Sequence, residues 1–266
     1  MNAERRIPVA MTIATSDSGG GAGIQADLKA FARCGVHGTS TIVALTAQNT
    51  HEVISVETLP RQFILDQMRA VTSDMGVDAV KIGMLFDQPT IEAVDEALDL
   101  AGEAPVVLDP VMVAESGAVL LKPEAKRALI ELILPRATVT TPNLAEAREL
   151  TGLGEGATPE ELARAARALG PRAVIVTGGH TDDGVDTLVE DDGEPWRIAG
   201  PVHPGGASHG SGCTHSSTVA ALLARGESIR DAAIQARAIT AEAVAGGLRE
   251  LGSGAGPVDV LGIIEG

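Results

Sequence analysis

The chain has 266 residues, 44% of them hydrophobic but only 2% aromatic and none tyrosine, so its core must be built from Ala, Val, Leu and Ile. Twenty Lys and Arg against 36 Asp and Glu leave a formal charge of −16, which repels polyphosphate and anionic lipid and argues against nucleic-acid or membrane partners. No apolar run approaches the ~18 residues of a membrane span. The start MNAERRIPVAMTIA has too short an apolar run for a secretory signal, and the two cysteines, Cys34 and Cys213, fit a reduced, cytoplasmic protein.

Ile7 to Ala14 reads as a strand that ends in TSDSGGGAG, after which Ile24, Leu28 and Phe31 fall at helical spacing. His37 to Leu45 is a second strand, with Thr46-Ala47-Gln48-Asn49-Thr50 at its C-terminal end. Ala79 to Leu85 and Pro105 to Asp109 are buried strands, separated by an amphipathic helix through Ile91, Val94 and Leu98 with Pro89 near its start. Thr138 to Thr141 leads to Asn143, which can cap a helix from Leu144 to Leu150. A helix over Pro159 to Leu169 precedes the strand Ala173 to Val176 and the turn Thr177-Gly178-Gly179. Asp186 to Glu190 and Trp196 to Ala199 form a hairpin around Asp192-Gly193, and two Ala-rich helices, Ser211 to Ala224 and Ile229 to Leu248, complete the chain.

No linker-like segment interrupts this alternation, so residues 1–266 are read as one α/β domain. Strands alternating with helices predict an open, mostly parallel sheet whose ligands bind beyond the C-terminal strand ends, where the polar clusters fall.

Gly19-Gly20-Gly21-Ala22-Gly23 matches neither the dinucleotide nor the P-loop fingerprint, and a tight strand-to-helix turn explains it as well as a phosphate loop. Asp27, one turn later, is equally compatible with a solvated or dipole-paired carboxylate. His209-Gly210-Ser211-Gly212-Cys213-Thr214 carries more information. Two glycines before a long helix leave free N–H groups at a positive helix end, an anion hole. Cys213 stands beside it, where the helix dipole would favour its thiolate, although a lone Cys at such a place is commonly a small buried thiol.

SDSGGGAGIQADLKAF, TAQNT, VKIGML, VVLDPVMVAESG, TPNLAEA, GGH and HGSGCT occur here in the order and spacing of the hydroxymethylpyrimidine/phosphomethylpyrimidine kinases. The resemblance covers about Val9 to Leu248 and implies the ribokinase-like fold, a three-layer α/β/α sandwich. It implies an ATP- and Mg2+-dependent kinase of thiamine biosynthesis that phosphorylates 4-amino-5-hydroxymethyl-2-methylpyrimidine and then its monophosphate, working as a homodimer.

By the same resemblance Gly210, Ser211 and Gly212 form the anion hole and Cys213 replaces the superfamily's Asp base. The pyrimidine pocket would comprise Ala22, Asp27, Gln48, Met84 and Val111. A carboxamide such as Gln48 can both donate to and accept from an aminopyrimidine edge, whereas a Met at a strand end is often core filler. Asn143 and Glu146 match an N-x-x-E pattern serving phosphate and magnesium, with Glu146 toward the metal, yet they also spell a helix capping box. Thr177 and Gly179 would border the nucleotide.

Four positions depart from the family pattern: Thr15 for Gly, Thr177 for Lys, and Ala207-Ser208 for Asn-Thr. The Thr177 change removes a cation near the nucleotide phosphates, and Thr15 adds a side chain beside the pyrimidine. Two alternatives remain open: a pyridoxal kinase of the same superfamily, and a non-catalytic pyrimidine-binding protein. Dual-activity relatives carry a lid Cys where this chain reads Val113-Ala114-Glu115.

Overall fold

A computed structural model of the protein describes residues 7–113, 117–179, 181, 183–191 and 193–264. Ala114, Glu115, His180 and Asp192, all within strings singled out from the sequence, lie outside the described residues. In chain order the elements are β1 (Val9–Asp17), α1 (Gly23–Arg33), β2 (His37–Gln48), β3 (Val53–Thr58), α2 (Arg61–Asp74), β4 (Ala79–Ile82), α3 (Gln88–Leu98), β5 (Val106–Leu108) and α4 (Lys126–Ala128). They continue as β6 (Val139–Thr140), α5 (Leu144–Thr151), α6 (Pro159–Arg167), β7 (Ala173–Val176), β8 (Val185–Val189), β9 (Pro195–Ala199), α7 (Ser211–Ala224) and α8 (Ile229–Ala245). The single turn of α4 sits in a longer helical stretch, between 3₁₀ turns at Pro123–Ala125 and Leu134–Arg136.

The strands form one sheet in the order β3-β2-β1-β4-β5-β6-β7-β8-β9. Neighbours from β2 to β7 are parallel, while β3 pairs antiparallel with β2 on one edge and, on the other, β8 pairs antiparallel with both β7 and β9. Both faces of the central strands are covered, which is why their sequences are apolar runs rather than alternations. Ala10, Val107, Val139 and Ile175 pack with Phe31, Val219, Leu222 and Ala233 of α1, α7 and α8. The opposite side chains, among them Met11, Ile13, Val80 and Leu108, pack with Ile64, Met68, Ile91 and Val94 of α2 and α3. Farther along that face, Val174 and Val176 meet Ala147, Leu162 and Ala163 of α5 and α6. This is the three-layer, mostly parallel ribokinase-like arrangement. Among the described residues, no helix is long and apolar enough to cross a membrane.

Local signals set most of the boundaries. Asp87 caps α3 by accepting the Thr90 N–H, with Pro in the first turn, and Thr158 and Glu161 form a capping box on α6. Differences from the sequence reading have local causes. β1 continues to Asp17 because Thr15, Ser16 and Asp17 keep pairing with β2 after a register shift. β2 reaches Gln48, so Thr46, Ala47 and Gln48 are strand residues held by β3 rather than a terminal turn. β3 and α2 have no counterpart in the sequence reading. β4 stops at Ile82, and α8 stops at Ala245, before Gly246-Gly247.

The chain leaves β1 for β2 on one side and later returns to β4 on the other. A sheet of this kind has its crevice at that reversal, beyond the C-terminal strand ends.

Candidate active site

A cavity of about 820 Å³ opens over those strand ends, large enough for a small ring and a nucleotide together. Thr15, Ala22, Gln48, Met84 and Val111, from the β1, β2, β4 and β5 side of the sheet, line one end. Asn143, Thr177, Gly179, Val202 and Val244 line the other. Lys81, Asp109 and the Gly210–Cys213 turn lie between them.

The glycine loop is not an open phosphate cradle. The Asp17 carboxylate accepts the N–H groups of Gly19, Gly21 and Ala22 at 2.7, 3.0 and 2.9 Å, and the Asp17 carbonyl accepts that of Gly20. His209 Nε2 reaches the same carboxylate at 3.4 Å. Burial works to raise the Asp17 pKa, but the hydrogen bonds from His209, Ala22 and Gly19 hold it below the usual carboxylate range. The loop is therefore satisfied internally, and it leans on the turn before α7. Gly210 has φ 82°, and a Cβ there would collide with the Gly21 carbonyl oxygen. Gly210 also provides the N-cap of α7 without any side-chain cap bond; the Ser211 N–H is taken by the Ser208 carbonyl at 2.9 Å, which leaves those of Gly212 and Cys213, both lining the cavity, at this helix start for a ligand.

Under the cavity lies a buried charge network. Lys81 of β4, 0% exposed, puts Nζ 2.9 Å from Asp27 Oδ1 and 3.9 Å from Asp109 Oδ2. Asp27 also accepts the hydroxyls of Thr12 and Ser217, each at 2.6 Å, and Asp109 accepts Ser216 Oγ at 3.1 Å. Burial alone would lower the Lys81 pKa, but Asp27 and then Asp109 hold it above the lysine range. Removing one partner from such a buried pair costs about 3–5 kcal/mol. Asp27 is thus a correction to the sequence reading. It is fully buried beneath the cavity, its oxygens are taken by Lys81, Thr12 and Ser217, and it does not line the pyrimidine pocket.

Cys213 is a second correction. Its thiol is pushed up to about 12, first by burial and further by the charges of Asp109 and Asp27, with Lys81 only partly opposing them. The dipole of α7 does not deliver a thiolate at neutral pH, because loss of water and two nearby carboxylates outweigh it.

Asn143 and Glu146 do form the capping box, with the Glu146 N–H donating to Asn143 Oδ1 at 2.9 Å and the Asn143 N–H donating to Glu146 Oε2 at 3.0 Å. Both residues also line the cavity, so the capping box does not remove them from the site. Burial, and then the charge of Asp109, push the Glu146 carboxyl up to about 8. Thr177 donates its N–H to the Pro142 carbonyl, and Asp186 accepts the Gly178 N–H at 2.8 Å, which fixes the turn that carries Gly179. Arg237 spends its guanidinium on the carbonyls of Gly184 and Pro201. Thr15 lines the cavity, but its hydroxyl is engaged by the Met84 carbonyl at 3.1 Å.

Ala22, Gln48, Met84, Val111, Asn143, Glu146, Thr177, Gly179, Gly210, Ser211, Gly212 and Cys213 therefore share one cavity, and Asp27 alone of the site residues chosen from sequence stands outside it. Sequence reading passed over Asp17, Lys81, Asp109 and His209, although each lies inside or beside a quoted string. The apolar run of β4 could have singled out Lys81, a lone charge in a strand buried on both faces.

The profile of a family described as Phosphomethylpyrimidine kinase matches residues 17–259. The chain is 46% identical over 256 residues to the hydroxymethylpyrimidine/phosphomethylpyrimidine kinase of Rhizobium meliloti, across 94% of this chain and 96% of that protein. It is 43% identical over 254 residues to the thiamine biosynthesis bifunctional protein ThiED of Geobacter sulfurreducens, 94% of this chain matching 51% of that longer protein. It superposes on the pyridoxal kinase of Bacillus subtilis, solved as an ADP complex, with a TM-score of 0.88 at 34% identity, over 98% of this chain and 100% of that one.

Proposed function

We propose a role for each part of the cavity on the premise that this chain belongs to the phosphomethylpyrimidine kinase family. The chain is an ATP-dependent kinase that phosphorylates 4-amino-5-hydroxymethyl-2-methylpyrimidine and then its monophosphate to the diphosphate, in thiamine biosynthesis. The observation that carries the site assignment is the uncapped start of α7, opening midway along a cavity with a small polar-and-apolar pocket at one end.

At that end Gln48 reads the amino and ring-nitrogen edge, while Met84 and Val111 cover the ring and Ala22 leaves room for the first phosphate. Cys213 stays a thiol and orients the hydroxymethyl group for in-line attack on the γ-phosphoryl. A loose transition state needs little prior deprotonation, so positioning and charge stabilisation dominate. The N–H groups of Gly210, Gly212 and Cys213 receive the charge that develops on the transferring group, that of Ser211 being held by the Ser208 carbonyl. Asn143, Thr177 and Gly179 border the nucleotide. Among the described cavity-lining residues, Lys81 and Arg237 are both committed to protein partners, so backbone donors carry the weight that a Lys at position 177 would otherwise share.

The donor set fits Mg2+. Glu146 is a buried carboxyl that a hard cation would hold ionised. Among the described residues no cluster of three or more His, Cys, Asp or Glu forms a cage, which suits a metal that keeps several waters. Glu146 would hold the ion, which when bound would supply positive charge against the nucleotide's phosphates. We also infer a homodimer of single-domain subunits in the cytoplasm, supported by the family resemblance and by two free cysteines.

Incubation with Mg·ATP and the hydroxymethylpyrimidine, followed by chromatography of the products, tests the reading. Monophosphate and then diphosphate are expected, and absence of both would overturn it. Pyridoxal in the same assay should give kcat/KM at least about tenfold lower, because Ala114 offers no thiol to capture its aldehyde. Equal turnover would favour the pyridoxal reading.

A further inference from the structure

Lys81 is a buried cation with two carboxylate partners in a protein of net charge −16. Each partner grips α7 through a different hydroxyl, Asp27 through Ser217 and Asp109 through Ser216. Ser216 Oγ also lies 2.9 Å from the Gly212 carbonyl and 3.1 Å from that of Cys213. Ser216, itself a residue of α7, thus lies between Asp109 and the first turn of the helix, its single hydroxyl proton shared among the Asp109 carboxylate and the two carbonyls. Asp27 takes one of the three donors of the buried ammonium, and the second arm, at 3.9 Å, joins groups that line the cavity: Lys81 itself, Asp109 and Cys213.

We propose that Lys81 is a positioning residue for phosphoryl transfer, which, through Asp27 and Asp109, seats the first turn of α7 so that Gly210–Cys213 face the transferring group. The assignment rests on the kinase reading above. Lys81 also places a positive charge beneath the point where negative charge develops, in a floor that without it would hold only carboxylates. Two effects of losing Lys81 must be separated: the unpaired Asp27, which weakens the fold, and the misplaced α7 turn, which slows the reaction.

Lys81→Met alone should lower both Tm and kcat. Asp27→Asn combined with Lys81→Met removes one charge of each sign, and so relieves the unpaired acid without restoring the arm to Asp109. With saturating Mg·ATP and pyrimidine, the double variant should regain most of the lost Tm. Its kcat should stay about 10²-fold below wild type, as on loss of an electrostatic group at the transition state, with each KM within about threefold. Recovery of kcat in step with Tm would overturn the proposal and leave Lys81 a fold-stabilising residue. Should the double variant fail to fold, Ser216→Ala decides, since it keeps all three charged groups and the Asp27–Ser217 contact and deletes only the Asp109 arm, the one that reaches the first turn of α7. A kcat lowered about tenfold at near-unchanged Tm supports the proposal, and an unchanged kcat refutes it. Wild-type protein inactive on both pyrimidines would sink the kinase reading instead.

Discussion

Gly212→Ala separates the fold from the chemistry of the anion hole. Gly212 lies in the first turn of α7, and a Cβ built there meets no heavy atom within 4 Å beyond its own helix and chain neighbours. The methyl would therefore enter open cavity without straining the protein. Alanine is favoured over glycine in a helix by up to about 1 kcal/mol, and in a chain of this size about 1 kcal/mol moves Tm by roughly 2–4 °C. Tm should accordingly hold or rise slightly. Activity should move the other way, because the methyl takes space the transferring phosphoryl needs. A displacement of about 1 Å from the attack geometry costs on the order of 10²-fold, equivalent to about 2.7 kcal/mol of transition-state stabilisation. Coupled measurement of ADP release beside differential scanning fluorimetry reads both quantities. A stable variant with wild-type kcat/KM would show that the phosphoryl group passes elsewhere. Gly210→Ala cannot serve this purpose, since φ 82° and the Gly21 carbonyl make it a folding defect first.

Alkylation of Cys213 by iodoacetamide at pH 8, followed by peptide mass spectrometry, should be at least about 10²-fold slower than for a free thiol of pKa ~8.5, and its rate should climb about tenfold per pH unit. Rapid labelling at pH 8 would contradict a thiol pushed up to about 12. Gln48→Ala should weaken pyrimidine binding by about 1–3 kcal/mol in calorimetry by leaving the ligand's polar edge unpaired, and unchanged affinity would make the end of β2 purely structural. Asp17→Asn should destabilise the protein at pH 7, since the native pKa of Asp17 is held low. Its contribution is present above the unfolded value near 3.9 and is lost as pH falls through the native value, so the Tm gap between variant and wild type should close on acidification. A gap that persists unchanged at low pH would refute the electrostatic account of the loop.

The parallel strands, α7 and the hairpin of β8 and β9 were legible because each is a local pattern: an apolar run, a capping signal or a turn. β3 was not, for its residues Val53–Thr58 are all partly or fully exposed and show no buried face. Asp27 was misplaced because its meaning depends on Lys81, a partner 54 positions away that no local spacing reveals. The ionisation of Cys213 was misjudged for a related reason. A helix dipole can be read from sequence, but the burial and the two carboxylates that outweigh it come from other elements. At Asn143 and Glu146 the capping box is formed, and the same pair borders the cavity, so the structural reading of the motif does not compete with a place at the site.

The interlock of the glycine loop with the turn before α7 constrains how the protein is made. Asp17 and His209, 192 positions apart, must meet before the cavity has the wall that Ala22, Gly23 and His209 give it. During synthesis at about 5–20 residues per second, the first half of that contact waits roughly 10–40 s for the second to emerge. Nascent chains shorter than α7 thus carry β1, α1 and β2 without a finished pocket, and a substrate that binds the native wall has nothing to hold in them. The vitamin precursor can stabilise the completed enzyme but cannot chaperone its early folding.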